Sequence, residues 1–214
     1  MVTLMKENFI GKCFLASWLI SIGCIAYITC SNTYVGALLF SFGILSIINF
    51  KLYLYTGIAS EGWRCVIGDY AILAKIVKVL LWNIVSMIFI GTFLGLLGPY
   101  EIAEKSYSFI INKIETPDGY YAIESIICGL LIFIAVAAAE KWYLSILSIM
   151  IFIICGFEHS IANMFYYSCA FVKFGNFELF GEIISLSIIA VIGNFFGAII
   201  FPLVLMLKEI TNKK

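Results

Sequence analysis

Residues 149–171 read IMIFIICGFEHSIANMFYYSCAF. A run this apolar has the length of a membrane-crossing helix. Yet its middle, residues 156–165, carries Glu158, His159, Ser160 and Asn163, and His159 is the only histidine in the chain. An ionisable group at membrane depth costs roughly 2.5–3.5 kcal/mol or more, so its presence there is by default a mark of function. The glycine, serine and asparagine around it weaken a continuous helix. The stretch predicts a helix interrupted near the bilayer midplane, where transporters build sites from half-helix ends and freed backbone groups.

Composition points the same way. Of the 214 residues, 63% are hydrophobic and only 12% charged, where an ordinary globular chain carries about 25%. The mean hydropathy is +1.08. Such a surface needs lipid as its solvent. Six spans can be drawn, at about 10–30, 34–60, 70–97, 121–139, 143–170 and 182–207, each long enough to cross. They are apolar on every side rather than alternating, which excludes a membrane barrel and predicts an all-α membrane protein. The whole chain, 1–214, reads as one channel domain with no room for a separate soluble one.

Net charge is zero, so attraction for a charged solute must be local, and no basic stripe for nucleic acid is present. Seven scattered cysteines without CxxC spacing read as small buried side chains. No cleavable signal pattern follows the first apolar run. One histidine, no HExxH and no Ser/His/Asp set argue against an intramembrane hydrolase or metalloenzyme, and no cofactor is expected.

With the N-terminus inside, the inner segments hold Lys6, Lys12, Arg64, Lys75, Lys78, Lys141, Lys208, Lys213 and Lys214, and the outer ones Lys105, Lys113 and Lys173. This asymmetry puts both termini in the cytoplasm of a cell membrane. Trp63 and Trp142 then fall at the inner interface, and Tyr100, Tyr120, Tyr121, Tyr166 and Tyr167 at the outer one, as an aromatic belt. The outer segment 98–120 is net acidic and reads as a solvated connector.

The second span is also odd. Lys51 stands in its middle, and Thr56-Gly57 follow. A lysine there either snorkels or faces a wet cavity, and Gly57 suits a loop over residues 54–57. Two interrupted spans in corresponding positions point to a transport site. The halves, about 10–97 and 121–207, also match locally: Phe40 with Phe152, and Asn83 with Asn194. Three spans per half is odd, so the repeats would be inverted. The asparagines suit helix–helix hydrogen bonding better than solute contact.

GFEHSIANMF closely resembles the fifth-helix signature of the formate–nitrite transporters, which include hydrosulfide channels. LASWLISIG, VGALLFSFGIL with LYTG, WNIVSM and IGNFFGAIIFP resemble that family's first-, second-, third- and sixth-helix patterns. The resemblance implies an aquaporin-like protomer with broken second and fifth helices, assembled as a homopentamer in the lipid bilayer, with one pore per protomer for a small inorganic or organic anion. It implies that His159 and Thr56 face the pore centre, and that Phe40 and Phe152 form its aromatic constrictions. Leu54, Tyr55 and Ile44 fall at its apolar constriction and loop positions, with Glu158 and Asn163 as supporting groups. Lys51 either attracts anions or pairs locally. Glu158, adjacent to His159, is expected to accept a bond from a backbone or ring N–H rather than to line the pore.

The chain also departs from the pattern. It begins late, so most of the family's N-terminal amphipathic helix is missing and the lysine expected there falls at about Met1. The lysine expected before the fourth helix falls near Pro117, with Lys113 close by. Phe133 takes the fourth-helix asparagine position, and Lys51-Leu52-Tyr53 replaces Gly-x-Glu. The function expected is flux of a weak-acid anion (formate, nitrite or hydrosulfide), passive or proton-coupled, with His159 as donor. The rivals are a neutral-solute pore for water or glycerol, and a structural subunit of a membrane complex.

Overall fold

The computed structural model describes residues 8–175 and 177–211, with side chains as far as residue 206. Lys6 and the lysines from 208 onward therefore lie outside the described side chains. The described residues form helices α1 (Phe9–Thr29), α2 (Thr33–Asn49), α3 (Tyr55–Ile58), α4 (Ala71–Leu97), α5 (Tyr100–Ile114), α6 (Asp118–Ala137), α7 (Trp142–Ile154), α8 (Ser160–Phe174) and α9 (Phe180–Thr211). Short 3-10 segments follow α3 (Ala59–Ile67) and precede α9 (Phe177–Leu179). Helices α1, α4 and α6, and the segment Phe177–Met206, are long and apolar enough to cross a membrane; α2 and α7 are shorter apolar helices.

Local chemistry sets the helix starts. Asn8 caps α1 by accepting from the Gly11 N–H, and Asn32 caps α2 by accepting from Tyr34 and Val35. Pro99 and Pro117 precede α5 and α6, where a fixed φ prepares the first turn.

Five residues separate α2, which ends at Asn49, from α3, and five separate α7, which ends at Ile154, from α8, and the same device ends the helix before each of these breaks. After α2, Lys51 adopts φ 52°, the Lys51 N–H donates to Ile48 O and the Leu52 N–H to Ile47 O. After α7, Gly156 adopts φ 75°, its N–H donates to Ile153 O and the Phe157 N–H to Phe152 O. Each pair of bonds is a left-handed helix terminus that satisfies the last carbonyls. The first break thus comes earlier than the sequence suggested. Lys51 takes the left-handed position and Gly57 lies inside a helical turn. Lys51 is exposed at the end of α2 rather than in the middle of a span.

Close helix packing relies on glycine. A Cβ at Gly95 of α4 would strike the backbone of Cys169 on α8, and one at Gly197 of α9 would strike that of Ile126 on α6. Such approach is how membrane helices gain contact without a hydrophobic driving force.

Two expectations fail. Residues 98–120 are mostly helix α5 rather than a solvated connector. Ile102, Ser106, Ile110 and Lys113 fall on its buried side, a spacing that places them on one helical face. Tyr121, Tyr166 and Tyr167 are interior rather than in an aromatic belt, whereas Tyr100, Tyr120 and Trp142 are exposed. The buried hydroxyls of Tyr121 and Tyr167 find each other at 3.2 Å, which removes the need for an interfacial position.

Candidate functional site

Asn83 and Asn194 hold the two breaks open. Asn83 on α4 accepts from the Tyr55 N–H at 2.8 Å and donates to Cys13 O and Tyr53 O, both at 3.1 Å. Asn194 on α9 accepts from the Ser160 N–H at 2.8 Å and donates to Ser125 O and Glu158 O, both at 2.8 Å. Both side chains are fully buried. Each amide satisfies the first N–H of a half-helix, one carbonyl in the break and one carbonyl of a neighbouring helix. An extended strand inside the fold needs such partners, because no water is there to supply them. The first N–H of each half-helix is therefore occupied, not free for a solute as the sequence reading had it.

His159 is the N-cap of α8. Its Nδ1 accepts from the Ala162 N–H at 3.1 Å, and its Nε2 lies 3.1 Å from Thr56 Oγ1. A neutral imidazole has one donor and one acceptor nitrogen. With Nδ1 accepting, the proton sits on Nε2 and is donated to Thr56. The Thr56 hydroxyl hydrogen is left to point elsewhere. A proton added at Nδ1 would face the Ala162 N–H and break the cap. Thr56 lies within α3 and does not cap it; the N-cap there is Leu54, with no side-chain bond. Next to His159, the Ser160 hydroxyl is buried without a hydrogen-bond partner among the described residues.

Phe40 and Phe152 meet edge to face with centroids 5.8 Å apart, and Phe152 stacks on the His159 ring, also at 5.8 Å. These three side chains, with Lys113, Asn163 and the aromatic rings of Tyr27, Phe109 and Tyr166, surround a cavity of about 20 Å³. That space suits about one water, so a larger solute needs the two phenylalanines to yield. Ile44, Leu54 and Tyr55 are buried in the main core. The Tyr55 hydroxyl donates to Val191 O at 2.8 Å, which ties α3 to α9.

The cavity has a charged wall that the sequence reading missed. Lys113 of α5 forms a hydrogen-bonded ion pair with Glu158 Oε2, and both side chains are buried. Asn163 Nδ2 donates to the same oxygen at 2.7 Å and to Tyr121 Oη at 3.0 Å. Glu158 thus accepts from an ammonium and an amide rather than from a backbone or ring N–H. The ammonium also lies 4.5 Å from the Phe109 ring centroid, a favourable cation–π position. On the other side of the molecule, Lys12 and Lys75 bracket the Tyr53 ring at 5.1 and 4.8 Å, and Lys12 Nζ donates to Lys51 O at 3.3 Å. Lys51 thereby offers its backbone carbonyl, while no ion pair engages its side chain among the described residues. Arg64, in the 3-10 segment after α3, bonds Glu61 and Asp69, and these raise its pKa above the ordinary value.

Long apolar helices, two of them interrupted around a buried polar centre, define a multi-pass helical membrane protein. The model of the formate/nitrite transporter family matches residues 2–208, and the chain belongs to that family, one of transporters rather than enzymes. It is 28% identical over 227 aligned positions to the uncharacterised transporter YrhG of Bacillus subtilis (strain 168), covering 93% of this chain and 82% of YrhG. Its fold is similar to a solved pentameric formate channel with formate bound, at TM-score 0.73 and 20% identity over 98% of this chain and 100% of the other. A second solved structure, described as an FNT family ion channel, matches at TM-score 0.73 and 19% identity, covering 94% of this chain and 90% of the other.

Proposed function

We propose that this protein is a channel for small monovalent weak-acid anions, such as formate, nitrite or hydrosulfide. The supporting observation is that donors converge on one cavity: the Lys113 ammonium, the Asn163 amide and the His159 ring, whose Nε2–H is held against Thr56. In this reading the chain is one domain of two inverted three-helix repeats and crosses the membrane six times. Helices α2 with α3, and α7 with α8, are the broken second and fifth crossings. Both termini face the cytoplasmic side of the cell membrane, and five copies assemble, as in the similar pentameric formate channel; each copy carries its own pore.

The physical obstacle is the apolar constriction. An anion stripped of water loses several kcal/mol or more unless new hydrogen bonds replace those of water. Phe40 and Phe152 exclude hydrated ions by dewetting the narrow passage. Once the rings rotate, an anion that has paired with Lys113 moves on to the Nε2–H of His159 and the hydroxyl of Thr56. A neutral ring donates a hydrogen bond without trapping the anion on a fixed charge. Leu54 and Ile44 supply the apolar lining on the far side of the centre, Tyr55 holds the short helix that carries Thr56, and Lys51 stands exposed beyond it.

The test is flux through purified protein in liposomes with formate, nitrite, hydrosulfide, acetate, chloride and glycerol in parallel. The expected result is rapid passage of one or more of the weak-acid anions. Glycerol passage without anion passage identifies a neutral-solute pore instead. No passage of any solute refutes the channel reading and favours a structural subunit.

A further inference from the structure

Glu124 stands on α6 with only 8% of its surface exposed. No described group donates a hydrogen bond to it, and it forms no salt bridge. It stands one turn along α6 from Tyr121, whose hydroxyl accepts from Asn163, the amide that also donates to Glu158. The compartment around this network, with Glu124 on its α6 wall, therefore holds two carboxyl groups and one ammonium. Glu158 has Oε2 filled by two donors, Lys113 and Asn163. Glu124 has no such donor among the described residues.

The other titratable groups near Glu124 do not offset this imbalance. Tyr121 and Cys128, one turn away on either side along α6, are neutral groups, as is Tyr167 of α8, which bonds Tyr121. Helix α9 packs along α6, and its only ionisable side chain among the described residues, Glu182, is exposed. Tyr143 of α7 is exposed, and Tyr55 of α3 is committed to Val191. No second cation among the described residues pairs with either carboxyl group.

With all three groups ionised the compartment carries one net negative charge. A monovalent anion paired with Lys113 would make it two, in a largely buried space. Like charges in such a place are not sustained, and a proton is taken up instead.

We propose that Glu124 is a proton-binding site that fills when a solute anion occupies the compartment. The proton comes from the water that reaches the exposed edge of Glu124. An O–H bond forms on a carboxyl oxygen, and it breaks when the anion leaves. Anion and proton then enter as a pair, with no change in net charge. This inference rests on the anion-channel reading above and specifies where its proton resides.

The experiment measures formate flux in liposomes as a function of pH, with leak through protein-free vesicles subtracted. Wild-type flux is expected to fall as pH rises, approaching the limit of about tenfold per pH unit set by a single titrating group. Glu124→Gln, which resembles the protonated side chain, is expected to keep the low-pH rate with little slope. Glu124→Asp is expected to keep a slope. A Glu124→Gln protein with the wild-type slope overturns the proposal, above all if His159→Asn abolishes that slope instead.

A measurement on the wild-type protein covers the case in which the variant fails to assemble. Adding ¹³C-formate near neutral pH should bring up the infrared band of a protonated carboxyl group in the protein. Absence of that band overturns the proposal. If wild-type protein passes no formate at any pH, the channel reading itself has failed, and the two failures are thus distinguished.

Discussion

At residues 50–54 and again at 155–159 the chain leaves one helix and starts the next through the same hydrogen bonds. An asparagine from a long helix closes each break with three more, Asn83 at the first and Asn194 at the second. The side chains placed on this shared backbone differ. Lys51 occupies the left-handed position of the first break where Gly156 occupies that of the second. Leu54 stands at the N-cap of the first half-helix without a side-chain bond, where His159 caps the second through its ring. Among the described residues the first break has no buried ion pair, whereas Glu158 in the second holds Lys113. The difference teaches that the same backbone device creates both interruptions, and that the side chains set on it, leucine against histidine at the N-cap and no ion pair against one, tell them apart.

The largest effect should come from removing the closure itself. Asn83→Leu or Asn194→Leu leaves one buried N–H and two buried carbonyls unmet, at about 1–3 kcal/mol each. Either variant should lose its folded, monodisperse form in detergent, as read by size exclusion and thermal unfolding. Similar losses at both sites would support the equivalence of the breaks; tolerance at one would break it.

Next comes the asymmetry in charge. Lys113→Met strands a buried carboxylate and should cost about 3–5 kcal/mol. The double variant Lys113→Met/Glu158→Gln should recover much of that, since no charge is left unpaired. Lys12→Met, at the exposed cluster near the first break, should shift stability by no more than about 0.5 kcal/mol. Thermal unfolding of the three variants tests the ranking.

The left-handed positions predict opposite signs. Gly156→Ala introduces a strained conformation at about 1–2 kcal/mol. Lys51→Gly relieves a strain of that size but returns about 0.4–1 kcal/mol through the freer unfolded chain, for a small net gain. Ser160→Ala should be the mildest, within about 0.5 kcal/mol, because its hydroxyl has no partner to lose.

Much of this centre could be read from residue order because its members are close in sequence or chemically conspicuous. His159 is unique, and Phe40, Phe152, Asn83 and Asn194 sit in similar settings in the two halves. The structure brings Phe40, Phe152, Thr56 and His159 together. The Lys113–Glu158 pair was not legible, because 45 residues separate its members and the charges of residues 98–120 suggested a solvated connector. The spacing of Ile102, Ser106, Ile110 and Lys113 was the available signal for a helix there. The first break was displaced because a glycine attracts a left-handed assignment and a lysine does not. Tyr121 and Tyr167 were misplaced because tyrosine at the end of an apolar run marks an interface as readily as a buried hydroxyl pair.

The central claim is that the second break matters because His159 both caps a half-helix and presents an Nε2–H to a passing anion. His159→Asn separates the two roles, since asparagine caps helices well but does not reach as far as an imidazole. Formate flux in liposomes is the decisive measurement, made on protein whose thermal unfolding matches the wild type. The account predicts that folding is kept and flux falls by a factor of about ten or more, the loss of one hydrogen bond to a charged group at about 1.5–3 kcal/mol. Wild-type flux from a folded His159→Asn protein would contradict it.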